Sequence, residues 1–322
     1  MVGTNYRFPA PLTGEGEGGG GQQIHFQHKR GGKKMKKLLK VGVLLLGMAV
    51  AMAATSVQAF NSGTHLYIAE RVYSTCWDKT DLDYGSIAPD LAIYVAHPEK
   101  WPTAFDDTHH TFIDFSPYAW DLTQKWFAKG WATHNEVWGA DYYAHICYPA
   151  PGSGTTGYVI GKAGLLLEEI PSPTGNPVLD LEIAHDLIEI AVDVLLKQND
   201  PKLGEKLLDA TVSRSLEDRN LLARVFVWES KPRTDWLTLA STELTFRGIL
   251  TEYAMALSLS TPQHMEPLAI LSSQFGQRFY GVQIPPEKIL GVLKIAVSLC
   301  SDYKPVIDTV ILGIKTNPYL PK

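Results

Sequence analysis

The residues best suited to chemistry are histidines that lie near carboxylates between positions 60 and 190. Zinc sites in proteins are built from such sets, with neutral imidazole nitrogen and carboxylate oxygen as the ligand atoms. His134, Asp141 and His145 are separated by seven and four residues, which places them on one narrow stripe if residues 131–147 form a helix. The stripe also contains Trp138, which indicates a buried face. Because buried histidine and aspartate must be paired or ligating, a metal site is favoured over a solvated polar face.

A second pair, His185 and Glu189, has the i, i+4 spacing that lets two side chains of one helix bind one ion. The predicted helix covers residues 178–197, with Pro177 at its start. Glu189 also belongs to an acidic stripe opposite an apolar face, so it could instead face water. From this pair alone, both interpretations stay open.

Two further candidates come from segments without helical periodicity. Asp90 follows the segment Gly85–Pro89, which is predicted to be a loop, so its carboxylate could reach a site from outside the helices. Ordinary turn chemistry is the alternative. His109 and His110 are adjacent and must diverge, so we expect one of them to bind metal, unless both lie on the surface.

The elements that must position these residues are helices. No segment shows alternation sustained enough for a sheet, so we predict an all-α, multi-helix bundle. The expected helices are residues 64–73, 131–147, 178–197, 202–214, 217–229, 236–259, 263–276, 286–300 and 303–315. The stretch 94–108 is expected to be irregular and 149–157 a turn-rich connector.

The first 59 residues have the composition of a leader. Residues 35–59 combine lysines, a short apolar run and a small-residue end at Ala59, which is the layout of a secretory signal. Residues 1–34 are glycine-rich and are interpreted as disordered or as a misplaced start. We therefore expect an exported protein, periplasmic or secreted, with no transmembrane segment in the mature chain.

The mature chain is expected to have a helical core over residues 60–200. Residues 201–322 add helices that complete this domain or extend it. Residues 1–59 hold eight of the 29 basic residues but only two of the 34 acidic ones, so the rest of the chain has a net charge of −11. This charge disfavours nucleic acid as a partner unless metal ions supply positive charge. The three cysteines allow at most one disulfide.

The order of these motifs resembles that of the zinc-dependent phospholipase C family, to which the single-strand-specific zinc nucleases are related. The resemblance covers about residues 60–190. It rests on the segments Thr64–Ala69, Gly85–Asp90, His109–His110, Ala140–His145 and His185–Glu189.

The resemblance implies a multi-helix bundle with a metal cluster in a cleft, made of two or three zinc ions. It implies one ion held by Phe60, His65 and Asp141, with Phe60 as the new N-terminus. A second would be held by Asp90, His109 or His110, and the bridging Asp141. The third would be held by His145, His185 and Glu189.

The chain departs from the family pattern at Val137, where the family has a histidine. His134, one turn earlier on the same expected face, is the possible replacement. A site with one weak ligand could bind only two metals or be inactive.

The same resemblance implies hydrolysis of a phosphodiester, with Asp90 as general base or water-orienting group. The preferred substrate is a phospholipid, cleaved at its head group. The alternatives are a nuclease that prefers single strands, and a non-catalytic exported helical protein with a degenerate site.

Overall fold

The computed structural model describes residues 61–76, 79–147, 156–260 and 263–322. These residues belong to one compact unit. They form helices and connecting turns, with no strand in any of the described ranges, so the all-α prediction is confirmed. The expected leader, Phe60 and most of the expected connector 149–157 lie outside the described residues.

The described ranges contain eleven α-helices. They are α1 (Ser62–Val72), α2 (Lys79–Ile87), α3 (Leu122–Ala132), α4 (Tyr158–Glu169), α5 (Pro177–Asn199), α6 (Leu203–Val212), α7 (Leu216–Phe226), α8 (Trp236–Ser258), α9 (Met265–Tyr280), α10 (Pro286–Leu299) and α11 (Tyr303–Thr316). Short 3-10 helices cover Ala88–Tyr94, Pro98–Lys100 and Ser116–Tyr118, and single π-helical turns cover Asp106–His110 and Tyr142–Ile146.

Helix α5 is the central element of the bundle. The Asn176 side chain accepts hydrogen bonds from the first backbone N–H groups, and Pro177 occupies the first turn, where no N–H is needed. Nearly every residue from Ile183 to Lys197 is buried, because α1, α4, α6, α9 and α10 all pack against this helix. A helix surrounded in this way can present polar side chains only to other protein groups or to a bound ion.

Helices α2 and α3 approach each other closely through two glycines. A Cβ atom on Gly85 would collide with the carbonyl oxygen of Phe127, and one on Gly130 would collide with that of Leu82. The expected loop at 85–89 is therefore wrong: Gly85 to Ile87 form the last turn of α2, and the 3-10 helix that carries Asp90 follows directly. This packing brings the backbone of Ser86 beside residue 134.

The expected continuous helix over residues 131–147 is also wrong. Helix α3 ends at Ala132, and the chain then turns tightly until Gly139. The side-chain oxygen of Asn135 accepts from the backbone N–H groups of Val137, Trp138 and Gly139. Asn135 thereby replaces the hydrogen bonds that a helix would have made.

The C-terminal helices pack onto the rest of the unit, and the six predicted after residue 201 are confirmed with small shifts of their ends. In the described ranges, no helix combines the length and the apolar character needed to cross a bilayer. Cys76, Cys147 and Cys300 are all in the thiol form.

Candidate metal centre

Asp141 lies at the centre of a buried group of histidines. Its Oδ1 is 3.2 Å from His65 Nε2, and its Oδ2 is 3.1 Å from His134 Nε2. His65, His134 and Asp141 are fully buried. The two carboxylate oxygens therefore face different histidines, which is the geometry of a bridging ligand.

Asp90 and His109 complete one side of this group. Asp90 Oδ1 is 3.5 Å from His109 Nε2 and 3.4 Å from His134 Nε2. His109 Nε2 is also 3.8 Å from Asp141 Oδ2. Asp90, His109, His134 and Asp141 thus offer two nitrogen and two oxygen ligands around one point, as many as a tetrahedral zinc site needs.

The ring nitrogens of this group point their lone pairs inward. His134 Nδ1 lies 2.8 Å from the carbonyl oxygen of Ser86, to which only a protonated nitrogen can bond. Thr108 Oγ1 donates to the carbonyl of Ala104, so it accepts from His109 Nδ1, 2.7 Å away. In the neutral rings both Nε2 atoms are therefore unprotonated, yet they lie 3.3 Å apart. Two facing lone pairs suit a shared cation.

A second group, formed by His145, His185 and Glu189, lies on α5 and on the π-helical turn at Tyr142–Ile146. His145 Nε2 lies 3.0 Å from His185 Nε2, and His185 Nε2 lies 3.1 Å from Glu189 Oε1. Glu189 Oε1 is 3.9 Å from His145 Nε2. Three ligands with one position left for water or substrate is the arrangement of a catalytic zinc site.

Helix α5 does not present its acidic stripe to water. Glu189 and Asp193 are both fully buried, so the solvated interpretation of Glu189 is wrong. Asp193 accepts from Gly63 N, Thr64 Oγ1 and Tyr253 Oη at 3.0, 2.6 and 2.8 Å. These bonds fix the first turn of α1, and with it His65, against α5.

One predicted candidate among the described residues, His110, lies outside the groups. His110 is half exposed, because the π-helical turn directs it away from His109, and it contacts Asp106 and Glu136 instead. Of the two adjacent histidines, His109 is the one that lies among the candidate ligands. Val137 is 49% exposed on the turn after α3 and faces away from the site. His134 reaches the site through that turn rather than from a shared helical face.

Glu136 is a site residue that the sequence did not reveal. Its Oε1 lies 2.8 Å from His145 Nδ1, and its Oε2 lies 3.2 Å from His110 Nε2. By accepting from Nδ1, Glu136 leaves Nε2 of His145 available as a ligand. Its position on an irregular turn has no periodicity, so only its nearness to His134 in the sequence could have drawn attention to it.

The pKa shifts of the candidate ligands indicate that the two groups lack positive charge. Burial lowers the pKa of His134, but the charges of Asp141 and Asp90 outweigh burial and raise it to about 10. Burial raises the pKa of Asp141 to about 6 despite the opposing charge of His134. Burial, followed by the charge of Asp186, raises the pKa of Glu189 well above its usual value. A divalent ion would supply this charge in place of protons.

The buried atoms also fit a metal by their lack of partners. Both ring nitrogens of His65 and both carboxylate oxygens of Asp141 and Glu189 have no hydrogen-bond partner of good geometry. Such orphaned atoms cost about 1–3 kcal/mol each. Three sets of ligand atoms have all their members within 4.8 Å of one another: His65, His134 and Asp141; Asp90, His109 and His134; His145, His185 and Glu189.

His134 belongs to two of these sets, but its Nε2 can bind only one ion. Asp90, His109 and Asp141 all lie near His134 Nε2, so these four residues are enough to hold one ion. His65 and Asp141 Oδ1 are then left as two candidate ligands of a further ion, whose other ligands would be water or residues outside the described ranges. The described side chains could therefore hold two ions and contribute two ligands to a third.

A cleft opens beside the first group. Asn61, Ser62, Asp90 and Asp186 line part of its wall. Asp90 is the one candidate ligand among the described residues that lines it. A substrate in the cleft would therefore meet the ligand groups at Asp90.

Comparison with known proteins gives no significant match to any family model, characterised protein or solved structure. The resemblance to the zinc-dependent phospholipases C thus rests on the motifs and their order.

Proposed function

We propose that the protein is a zinc-dependent phosphodiester hydrolase that cleaves phospholipids in the manner of a phospholipase C. The observation that carries this proposal is the placement of two buried groups of histidine and carboxylate ligands beside a largely apolar cleft. Buried sites of this composition suit zinc, and clustered zinc ions are typical of phosphodiester hydrolysis.

The residues of the chain have distinct parts in this reaction. His109, His134, Asp141 and Asp90 would hold one ion, and His145, His185 and Glu189 another, with His65 and Asp141 contributing to a third. Bound ions would polarise the phosphoryl oxygens and lower the pKa of bound water. The protein keeps the His134, His109 and His145 rings in the tautomer that exposes Nε2, through Ser86, Thr108 and Glu136.

Asp90 is the residue proposed to orient the attacking water and accept its proton. It lines the cleft, whereas the other ligand candidates in the described ranges do not. Burial raises the pKa of Asp90, but the charge of His134 and the nearness of the His109 and His134 rings outweigh burial, so the net pKa lies below the usual value. The carboxylate is therefore ionised at neutral pH and can accept a hydrogen bond from the attacking water.

A hydrolysis assay tests the proposal. The zinc-loaded protein is incubated with short-chain phosphatidylcholine and, in parallel, with single-stranded DNA. We expect release of phosphocholine, abolished by EDTA and lowered about 100-fold or more in Asp90→Asn. Asp308→Asn, an exposed aspartate of α11, is the matched control and should keep full activity.

The assay also separates the competing functions. Cleavage of DNA alone would replace the proposal with a nuclease. If neither substrate is cleaved by protein that carries stoichiometric zinc, the phospholipase proposal fails.

A further inference from the structure

The cleft beside the ligand groups has apolar walls supplied mainly by the C-terminal helices. Six of the apolar side chains that line it are Leu187, Ile190, Leu250, Leu271, Phe275 and Ile289. They come from α5, α8, α9 and α10, so the described helices after residue 201 contribute walls, while none of the candidate ligands lies among them.

Four of the hydroxyl groups in the wall are already bonded to the protein. Ser272 and Ser273 donate to the carbonyl oxygens of Leu268 and Ile284. Tyr253 donates to Asp193, and Tyr280 donates to Asp186. These side chains direct their hydrogens toward protein acceptors, so the wall is mainly apolar, with the carboxylate of Asp186 as a polar group within it.

The charged side chains of the C-terminal helices stay at the edge. Glu252 and Arg278 line the cleft but are exposed. A smaller cavity beside α5 and α10 shares Ile183, Leu187, Ile284 and Ile289 with the cleft. Asp90 does not line this cavity, so the apolar surface extends beyond the part of the cleft that Asp90 lines.

We propose that this cleft binds the hydrocarbon chain of an amphiphilic phosphodiester, with the phosphoryl group at the Asp90 end. This inference rests on the proposed function for the fate of the phosphodiester, but the binding of the chain is independent of catalysis. An elongated apolar surface with polar ligands at one end matches a molecule that is polar at one end and apolar along its length. A nucleobase needs hydrogen-bond partners along its edges, whereas apolar side chains make up most of this wall.

Binding of hexyl-, octyl- and decylphosphocholine tests the proposal by calorimetry, each compound below its micelle-forming concentration. Both the zinc-loaded protein and the protein in EDTA are titrated, so that hydrolysis and chain binding are separated. We expect affinity to rise by up to about fourfold for each added methylene, in both forms.

Matched variants of α9 locate the chain. Leu271→Trp places a larger side chain into the wall and should flatten the dependence on chain length. Ile270→Trp, at a neighbouring residue that is 39% exposed and outside the lining, should leave it unchanged. Phe275→Ala should weaken decylphosphocholine binding about tenfold by removing apolar contact, and it remains informative if Leu271→Trp fails to fold.

Several results would overturn the proposal. One is an affinity for the alkylphosphocholines that does not depend on chain length. A second is an equal loss of affinity in Leu271→Trp and Ile270→Trp. A third is binding of an oligothymidylate that Leu271→Trp weakens, without any effect of alkyl length. Chain-dependent binding by a protein that hydrolyses no phosphodiester would keep the cleft assignment and remove the proposed function.

Discussion

The candidate ligands form two groups that differ in how strongly their members depend on one another. The Asp141 group consists of His65, Asp90, His109, His134 and Asp141, and the Glu189 group of His145, His185 and Glu189. Around Asp141, a single carboxylate lies between His65 on one side and His134 and His109 on the other. Around Glu189, the ligands are His145, His185 and Glu189 alone, and no candidate ligand is shared with the first group.

This difference has a structural origin. The Asp141 group is assembled from α1, the 3-10 helix after α2 and two irregular segments, so its geometry depends on several tertiary contacts. The Glu189 group takes two of its three ligands from consecutive turns of one central helix. A change at Asp141 should therefore disturb more than one ion, whereas a change at Glu189 should disturb one.

The largest effect is expected for Asp141→Asn. The neutral amide removes charge from both sides of the bridge, so zinc bound by the Asp141 group should be lost while one ion stays with the Glu189 group. Loss of an ion present at 100 times its Kd removes about 3 kcal/mol from the free energy of unfolding. Elemental analysis and urea unfolding in zinc measure both effects, with Asp308→Asn as control. If Asp141→Asn retains all of its zinc, the proposed difference between the two groups is contradicted.

Glu189→Gln should have a smaller and separate effect. It removes the only carboxylate of its group, so exactly one ion fewer per chain is expected, with the Asp141 group still loaded. Zinc content measures this, and the exposed Glu169→Gln on α4 serves as control. Loss of all zinc from Glu189→Gln would mean that the two groups are one interdependent cluster.

Glu136→Gln should weaken one ion without removing a ligand. An amide accepts a weaker hydrogen bond from His145 Nδ1 than a carboxylate does, so affinity at the Glu189 group should fall about 10–100-fold. Competition with a zinc chelator measures this affinity. An unchanged affinity would show that Glu136 does not orient His145, and weakening confined to the Asp141 group would contradict the assignment of its partner.

The smallest effect concerns Glu182, outside both groups. Burial, and then the charge of Asp186, raises the pKa of Glu182 to about 7. When the pKa of a carboxyl is higher in the folded than in the unfolded protein, the free energy of unfolding falls as pH rises from about 4.5 through 7. Glu182→Gln should therefore be stabilising above pH 7, with no gain below pH 4.5. Urea unfolding across this range tests it, and a gain independent of pH would exclude titration of Glu182 as its cause.

Much of the fold could be predicted, because the C-terminal helices have strong apolar periodicity and clear ends such as Pro286. Histidine and carboxylate spacing also named five of the ligand candidates that the structure brings together: His134, Asp141, His145, His185 and Glu189. His65 entered only through the resemblance of the motifs to a known family. His185 and Glu189 needed only the i, i+4 rule of a single helix, and α5 is where the sequence indicated it.

The rest depended on tertiary contacts that a local pattern does not contain. Helical spacing placed His134 and Asp141 on one stripe, but Asn135 breaks the helix, and the two residues meet across a turn. Glu136 is a partner of His145 only because of that turn. The cleft is formed by helices distant in sequence, so its apolar walls had no signature in any one segment.

The most direct test of the metal centre is the zinc content of the unmutated protein, purified and dialysed against buffer with a trace of zinc. The two ligand groups predict at least two tightly bound ions per chain, and a third if donors beyond the described residues complete the site at His65. Less than one zinc ion per chain, with no other divalent metal in its place, would contradict the proposed metal centre and leave the buried histidines and carboxylates as core residues that bind no metal.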